Sequence, residues 1–133
     1  MNVLIIDGMG GGLGKAVIEH IAPMLHTKQA TITAVGTNSA ATSAMLKAGA
    51  NIAATGENAV IYNAAKADYI LGAIGIIATN AMHGEVTAKM AEAITASNAH
   101  KILIPVDKCS ITVLGAKQST LAEYLLEIIR YLK

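Results

Sequence analysis

VLIIDGMGGGLGK, residues 3–15, is the stretch that decides the fold of this 133-residue chain. Its apolar run, residues 3–6, breaks at Asp7 into five glycines within seven positions, and residues 15–19 then resume an apolar and polar mixture. This order is typical of a buried strand, a tight turn and a helix. Such a turn aims free backbone N–H groups and the positive end of a helix dipole at one point. The stretch therefore predicts a loop that binds an anion.

The glycine loop, residues 8–14, is the first part of the predicted ligand site. Glycine suits a loop that approaches a phosphate closely, because it has no Cβ and adopts positive φ at little cost. Asp7 is expected to hold the loop by accepting backbone N–H bonds. The alternative is a turn that only packs the first helix on the sheet. The predicted contacts are Gly8, Met9, Gly10, Gly11, Gly12, Leu13 and Gly14.

Strand and helix patterns alternate with short connections along the rest of the chain, which predicts an α/β fold. We expect a Rossmann-like three-layer sandwich in one domain, 1–133, with a mostly parallel sheet of five or six strands. Residues 51–67 are open: either 52–54 is a strand and 57–66 a helix, or 59–62 is the strand. The other strands are expected at 2–7, 31–35, 69–71, 101–105 and 111–114, and the other helices at 11–26, 38–49, 87–97 and 119–132.

Further ligand contacts are expected at the carboxyl ends of the second and fourth predicted strands, beside the first strand. Thr37 and Asn38 follow the second strand and are candidates for the adenosine side, although Asn38 also suits a helix cap. Gly72, Ala73 and Gly75 end the fourth strand and leave room for the distal part of a ligand. NAD(P) or another nucleotide is the expected cofactor. However, residues 36–39 contain neither the acid typical of NAD sites nor an arginine for a 2′-phosphate.

Catalytic residues are harder to identify. His83 and Glu85 flank Gly84 and are the candidates for an acid–base pair, although ordinary loop polarity explains them about as well. Two such residues do not make a metal site, so none is expected. Tyr62 and Lys66 reproduce the spacing of the short-chain dehydrogenase catalytic pair. We reject them because they precede the fourth strand and no catalytic serine accompanies them.

Two resemblances to known families follow from these motifs. Gly8-x-x-x-Gly12-x-Gly14 is similar to the phosphate loop of short-chain dehydrogenases. The chain as a whole resembles a family of short bacterial proteins classed as a domain of unknown function. That resemblance implies a Rossmann-like fold and no established activity. It rests on residues 6–15, 36–45, 54–59, 72–76, 84–87 and 104–105.

Composition limits the partners. Ten Lys and Arg residues against nine Asp and Glu residues are scattered, which argues against nucleic acid. No apolar stretch approaches the roughly 20 residues of a membrane span, and no signal peptide is apparent. The single cysteine, Cys109, fits a reducing cytoplasm and is expected to be a small core residue rather than a nucleophile.

The predicted helix 119–132 indicates self-assembly. Its polar residues Glu123, Glu127 and Arg130 occupy a narrow arc, and the remaining apolar face is wider than one sheet contact requires. We expect a homo-oligomer, a dimer through this helix; the alternative is a helix clamped within its own chain. The leading function is a nucleotide- or dinucleotide-binding sensor or accessory subunit. The alternatives are a small enzyme acting on a phosphorylated metabolite and a homo-oligomeric interaction module with a purely structural glycine loop.

Overall fold

A parallel sheet is the centre of the computed structural model, which describes residues 1–106 and 110–132. Within that range the sheet has five strands in the order β3-β2-β1-β4-β5. Asn2 pairs with Thr31 at one side of β1, and Val3 pairs with Tyr69 at the other. The α/β, Rossmann-like prediction is confirmed. The strands are β1 (Asn2–Asp7), β2 (Thr31–Gly36), β3 (Ile52–Thr55), β4 (Tyr69–Ala73) and β5 (His100–Ile104).

Helices cover both faces of the sheet. The helices are α1 (Gly12–Leu25), α2 (Ser39–Ala48), α3 (Glu57–Ala64), α4 (Ala88–Ala96) and α5 (Leu121–Tyr131), with a 3-10 turn at Ile74–Ile77. Buried side chains of α1, α2 and α5 form one core, and those of α3 and α4 form the other. In the part of the chain that is described, every helix is too short or too polar to cross a membrane.

The first strand shows how the sequence produces this layering. Successive side chains of a strand point to opposite faces, so Val3 and Ile5 enter the core beneath α1 while Leu4 and Ile6 enter the core beneath α3 and α4. All four are essentially inaccessible to solvent. A strand covered on both faces needs an unbroken apolar run, which is what residues 3–6 provide.

Most predicted boundaries are confirmed to within one or two residues. For the ambiguous stretch 51–67, the first alternative is correct, because Ile52 pairs with Thr33 in the sheet while Val60 packs inside α3. Asn38 caps α2 by accepting a hydrogen bond from the Ala41 N–H at 2.9 Å, and Gly49 ends that helix. Pro23 lies in the last turn of α1, so the helix continues to Leu25 with a single backbone bond lost.

The prediction of a strand at 111–114 is wrong. These residues make no ladder with β5, and the side chain of Leu114 is 92% exposed. A β-branched run forms a strand only where it meets a sheet edge in register, and this one turns away at Gly115, whose φ is +81°. The sheet therefore has five strands in the described range rather than six. Cys109 lies outside the described residues.

Candidate functional site

A cleft of about 840 Å³ opens at the carboxyl ends of β1 and β4. Residues 8–13 of the glycine loop form one wall. Ala73 and Gly75, where β4 passes into the 3-10 turn, form a second, and residues 78–83 form a third, with Val106 beside them. This is the place in a doubly wound sheet where strand order reverses and where ligands bind.

Asp7 fixes the shape of the glycine loop. Its carboxylate is buried and accepts hydrogen bonds from the backbone N–H of Gly8 at 2.8 Å and of Gly14 at 2.7 Å. Gly11, at φ +76°, donates its own N–H to the Gly8 carbonyl and caps α1. The expectation that Asp7 holds the loop is therefore confirmed.

Three amides at the start of α1 remain available. Gly10, Gly12 and Leu13 line the cleft, and their backbone N–H groups make no hydrogen bond to any residue in 1–106 or 110–132. The first N–H groups of a helix have no partner inside it, and the helix dipole adds positive charge at the same end. The arrangement leaves three backbone donors at the cleft wall for an anion.

The third wall is a compact segment of residues 78–86, which we call the turn segment. It is closed by a hydrogen bond from the Asn80 N–H to the Val86 carbonyl at 2.7 Å. Asn80, Met82 and His83 all adopt positive φ, an uncommon conformation for residues with side chains. Such backbone costs free energy and persists only where surrounding contacts hold it.

Glu85 supplies the contact that ties the turn segment to the glycine loop. Its Oε1 accepts hydrogen bonds from the Met9 backbone N–H at 2.9 Å, the Asn38 side-chain amide at 2.9 Å and the Thr37 hydroxyl. We call these groups the Glu85 cluster. The bond from Thr37 is the main reason that the pKa of Glu85 lies below its ordinary value, with the Met9 N–H next in effect.

The Glu85 cluster packs so closely against position 8 that it leaves no room for a side chain there. A Cβ at position 8 would lie 2.5 Å from Thr37 Oγ1, 2.6 Å from Met82 Sδ and 2.8 Å from Glu85 Oε1. All three distances are shorter than any normal contact. The glycine at position 8 therefore serves the closure of the turn segment as well as the bend of the loop.

The cleft collects many, but not all, of the residues predicted for ligand binding. Gly14 and Gly72 lie outside its lining: a Cβ on Gly14 would strike Met45, and one on Gly72 would strike the Ile6 carbonyl. Thr37 and Asn38 also lie outside the lining, as members of the Glu85 cluster. Those that line the cleft are Gly8, Met9, Gly10, Gly11, Gly12, Leu13, Ala73 and Gly75.

The proposed acid–base pair is split between two surroundings. His83 is exposed and lines the cleft, whereas the Glu85 carboxylate is bonded to Thr37, Asn38 and Met9 on the β2 side of the loop. His83 is near enough to contribute slightly to the lowered pKa of Glu85. Thr79, Asn80 and Met82 line the cleft without having been predicted. No local sequence pattern marks them, since they reach the site through the fold of the turn segment.

Tyr62 and Lys66 contact each other away from the cleft. The Lys66 ammonium bonds the Tyr62 hydroxyl and lies 3.9 Å from the centre of its ring, on the exposed side of α3. Neither residue lines the cleft. Within residues 1–106 and 110–132, no three His, Cys, Asp or Glu side chains are grouped as a metal ion would require.

Comparison with known proteins identifies the family. A family model described as domain of unknown function DUF3842 matches residues 2–133. The chain belongs to this family. The resemblance to a domain-of-unknown-function family is thus confirmed, while the likeness of the DUF3842 glycine loop to that of short-chain dehydrogenases stays a prediction.

Two further comparisons were made. No curated protein matches the chain. Among solved structures, it is similar to a dodecameric FMN-dependent UbiX-like decarboxylase from Escherichia coli O157:H7. The two share 16% identity with a TM-score of 0.47, over 98% of this chain and 75% of the other.

Proposed function

We propose that this protein binds a phosphate-bearing small molecule of the nucleotide class in the cleft. The observation that carries the proposal is a set of three amides on the cleft wall at the start of α1, those of Gly10, Gly12 and Leu13, which have no hydrogen-bond partner among the described residues. Donors of this kind at a helix N-terminus, outside the carboxyl end of β1, are the usual means by which Rossmann-like folds hold phosphate.

The remaining walls suit the non-phosphate part of such a ligand. Ala73 and Gly75 have small side chains or none, so a ring or sugar approaches the backbone closely there, while Met82 and Val106 offer apolar surface. A volume of about 840 Å³ falls within the usual range for small-molecule sites, roughly 300–1,000 Å³. The cleft therefore holds a ligand of mononucleotide size without rearrangement.

Binding rather than dehydrogenase chemistry is the role that these residues support. His83 is the one histidine on the cleft wall among the described residues. The neighbouring carboxylate, Glu85, is engaged with three donors. We therefore assign the protein as a ligand-binding sensor or accessory subunit.

Native mass spectrometry of freshly purified protein tests this proposal, followed by denaturation and identification of any released molecule. A nucleotide or sugar phosphate in stoichiometric amount is the expected result. A thermal-shift panel of such ligands accompanies it, because a ligand at a hundred times its Kd stabilises a protein by about 2.7 kcal/mol. An empty protein whose melting temperature no member of the panel changes would contradict the proposal.

A small enzyme acting on a phosphorylated metabolite is the second candidate, and the position of His83 on the cleft wall favours it. In such an enzyme, His83 would exchange a proton with a ligand whose phosphate is bound by the glycine loop. The variant His83→Ala should then retain binding and lose turnover. If wild-type protein turns over none of the ligands that it binds, this candidate is excluded.

We also propose that the protein self-associates through α5. In the single chain, Leu126 and Tyr131 are 65% and 50% exposed, and Leu121, in the first turn of the same helix, is 43% exposed. Ile128 is buried against the core from the same helix. A helix that is apolar on its outer side as well as its inner side is expected to meet a partner, most simply a second copy.

A further inference from the structure

We propose that Glu85 restricts the cleft to ligands that place one phosphate group on the glycine loop, and that it excludes dinucleotides. The inference rests on the proposed function and narrows its ligand class. Its starting point is the position of the Glu85 carboxylate, which bonds Thr37 and Asn38 directly after β2. In a Rossmann-like fold, the adenosine half of a dinucleotide lies over this end of the second strand.

The amides of the glycine loop are divided among three acceptors. Asp7 takes the N–H groups of Gly8 and Gly14, the Gly8 carbonyl takes that of Gly11, and Glu85 takes that of Met9. Three remain without an acceptor in the described part of the chain, on Gly10, Gly12 and Leu13. Three donors match the three terminal oxygens of a phosphate monoester.

A second phosphate group directed toward β2 would have to compete with Glu85. The donors nearest to that path are the Met9 N–H, the Thr37 hydroxyl and the Asn38 amide, and Glu85 Oε1 accepts from all three. Taking these donors would leave two anions facing each other in a half-buried place, which is unfavourable. At neutral pH the carboxylate is charged, since its hydrogen bonds keep the pKa of Glu85 below the ordinary value.

The Glu85 carboxylate also lies where NAD sites carry an acidic residue that this sequence lacks after β2. NAD sites usually carry an acid at the end of the second strand, and residues 36–39 contain none. Glu85, which follows Thr37 by 48 residues in the chain, places a carboxylate at this end of β2. There, however, its Oε1 accepts three protein donors and its Oε2 one, so the carboxylate is engaged with the loop and the end of β2.

A purely structural role for Glu85 makes a different prediction. If the cluster only clasps the turn segment to the loop, the variant Glu85→Gln lowers stability and weakens every ligand by a similar factor. If Glu85 selects by charge, the same variant changes the preference between ligands that differ by one phosphate group. The preference, rather than the affinity for one ligand, therefore separates the two roles.

Isothermal titration calorimetry on the full-length protein measures that preference. The probes are two matched pairs, inorganic phosphate with pyrophosphate and AMP with ADP, with NAD as the dinucleotide. We expect wild-type protein to bind the one-phosphate member of a pair at least about tenfold more tightly, and Glu85→Gln to reduce this ratio by about tenfold, mainly by strengthening the two-phosphate member. Glu57→Gln is the matched control, because Glu57 also accepts a threonine hydroxyl bond, from Thr87, and lies outside the cleft lining.

Two results would overturn the inference while leaving the proposed function intact. One is wild-type protein that binds ADP, pyrophosphate or NAD as tightly as the one-phosphate probes. The other is a ratio that Glu85→Gln leaves unchanged although both ligands bind. Failure of all five probes to bind either protein would remove the proposed function and this inference with it. If Glu85→Gln does not fold, the ratio of the wild-type affinities for the one-phosphate and two-phosphate probes remains the test, and a ratio near one overturns the inference.

Discussion

Asp7 and Glu85 place carboxylates on opposite sides of the glycine loop, and each controls part of its hydrogen bonding. Asp7 is buried and accepts two loop amides, so it acts on the shape of the bend. Glu85 approaches from the turn segment and accepts the Met9 amide. Together with the Gly8 carbonyl, which accepts the Gly11 amide, the two acids leave the three amides that the ligand is proposed to use.

Glu85 should make stability depend on pH in acid. Its hydrogen bond from Thr37, above all, holds the pKa of the folded state below about 4.5, the ordinary value for glutamate. A lowered pKa contributes stability that is fully present above the unfolded pKa and is lost as pH falls through the lower folded value. Melting temperatures of wild type and Glu85→Gln should therefore differ by a constant amount from neutral pH to about pH 5.5 and converge below about pH 4.5. A gap that widens toward low pH would contradict this assignment.

Gly8 should be intolerant of a side chain for reasons of packing. The added methyl of Gly8→Ala would lie within 2.8 Å of Thr37, Met82 and Glu85. We expect a loss of about 1–3 kcal/mol in the free energy of unfolding, measured by chemical denaturation. Gly10→Ala is the control, because no atom of the described residues lies within 4 Å of a Cβ built there. Equal stability of the two variants would show that the Glu85 cluster does not close as described.

Gly10 should instead matter to the ligand. Because Gly10 lines the cleft and a Cβ there would meet no atom of residues 1–106 or 110–132, Gly10→Ala is expected to fold with stability near that of wild type. Its added methyl group obstructs the close approach of a phosphate to the loop backbone, so affinity should fall by about tenfold or more. Titration calorimetry with AMP measures this, and unchanged affinity would place the phosphate elsewhere.

At the scale of elements, the start of α1 is fixed by its contact with α2. Gly11 has φ +76°, and a Cβ there would lie 2.8 Å from Ala41 Cα and 2.9 Å from the Ala41 carbonyl oxygen. Both the conformation and the backbone contact require glycine. We expect Gly11→Ala to lower the free energy of unfolding by about 2–4 kcal/mol, the sum of left-handed strain and overpacking.

Gly12→Ala is the companion variant for that measurement. Position 12 is the first residue of α1, its φ is not positive, and a Cβ there would meet no atom of the described chain within 4 Å. Alanine is favoured over glycine in a helix by about 0.5–1 kcal/mol, so this variant should be neutral or slightly stabilising. Comparable losses from Gly11→Ala and Gly12→Ala would contradict the described packing of α1 on α2.

The elements that were predictable from sequence are those whose signals are local. Apolar runs buried on two faces gave β1, β2 and β4, and the cap residues Asn38 and Gly49 gave both ends of α2. The strand prediction at 111–114 failed because pairing with a sheet is not a local property of the sequence. Its residues have strand propensity, but propensity does not tell whether a sheet edge is available in register.

The candidate site likewise has one part that was predictable from the sequence and one part that was not. The glycine loop and the β4 end were predictable, because strand, turn and helix follow one another in the chain and both strands end at one edge of the sheet. The contact of Glu85 with Thr37 was not, since no pattern links residues 48 positions apart. The positive φ of Met82 and His83, which shapes the cleft wall, also has no signature in the residue types.

At the scale of the whole molecule, the exposed apolar side chains of α5 predict association. We expect wild-type protein to elute as a dimer in size-exclusion chromatography with light scattering, and Leu126→Glu to shift it toward monomer, because a buried unpaired charge is costly in an apolar interface. Leu46→Glu is the matched control, since Leu46 on α2 is 50% exposed and lies on a different element. A monomeric wild type, or equal effects of the two variants, would contradict assembly through α5.

The most direct test of the central claim is two-dimensional NMR of isotope-labelled protein titrated with AMP. We expect the backbone amide signals of Gly10, Gly12 and Leu13 to move most, because these amides gain a charged acceptor. Those of Gly8 and Gly14, already bonded to Asp7, should move less. If AMP moves none of the three amides, or moves signals beside α5 instead, the glycine loop is not a phosphate site for this ligand and the central claim is wrong.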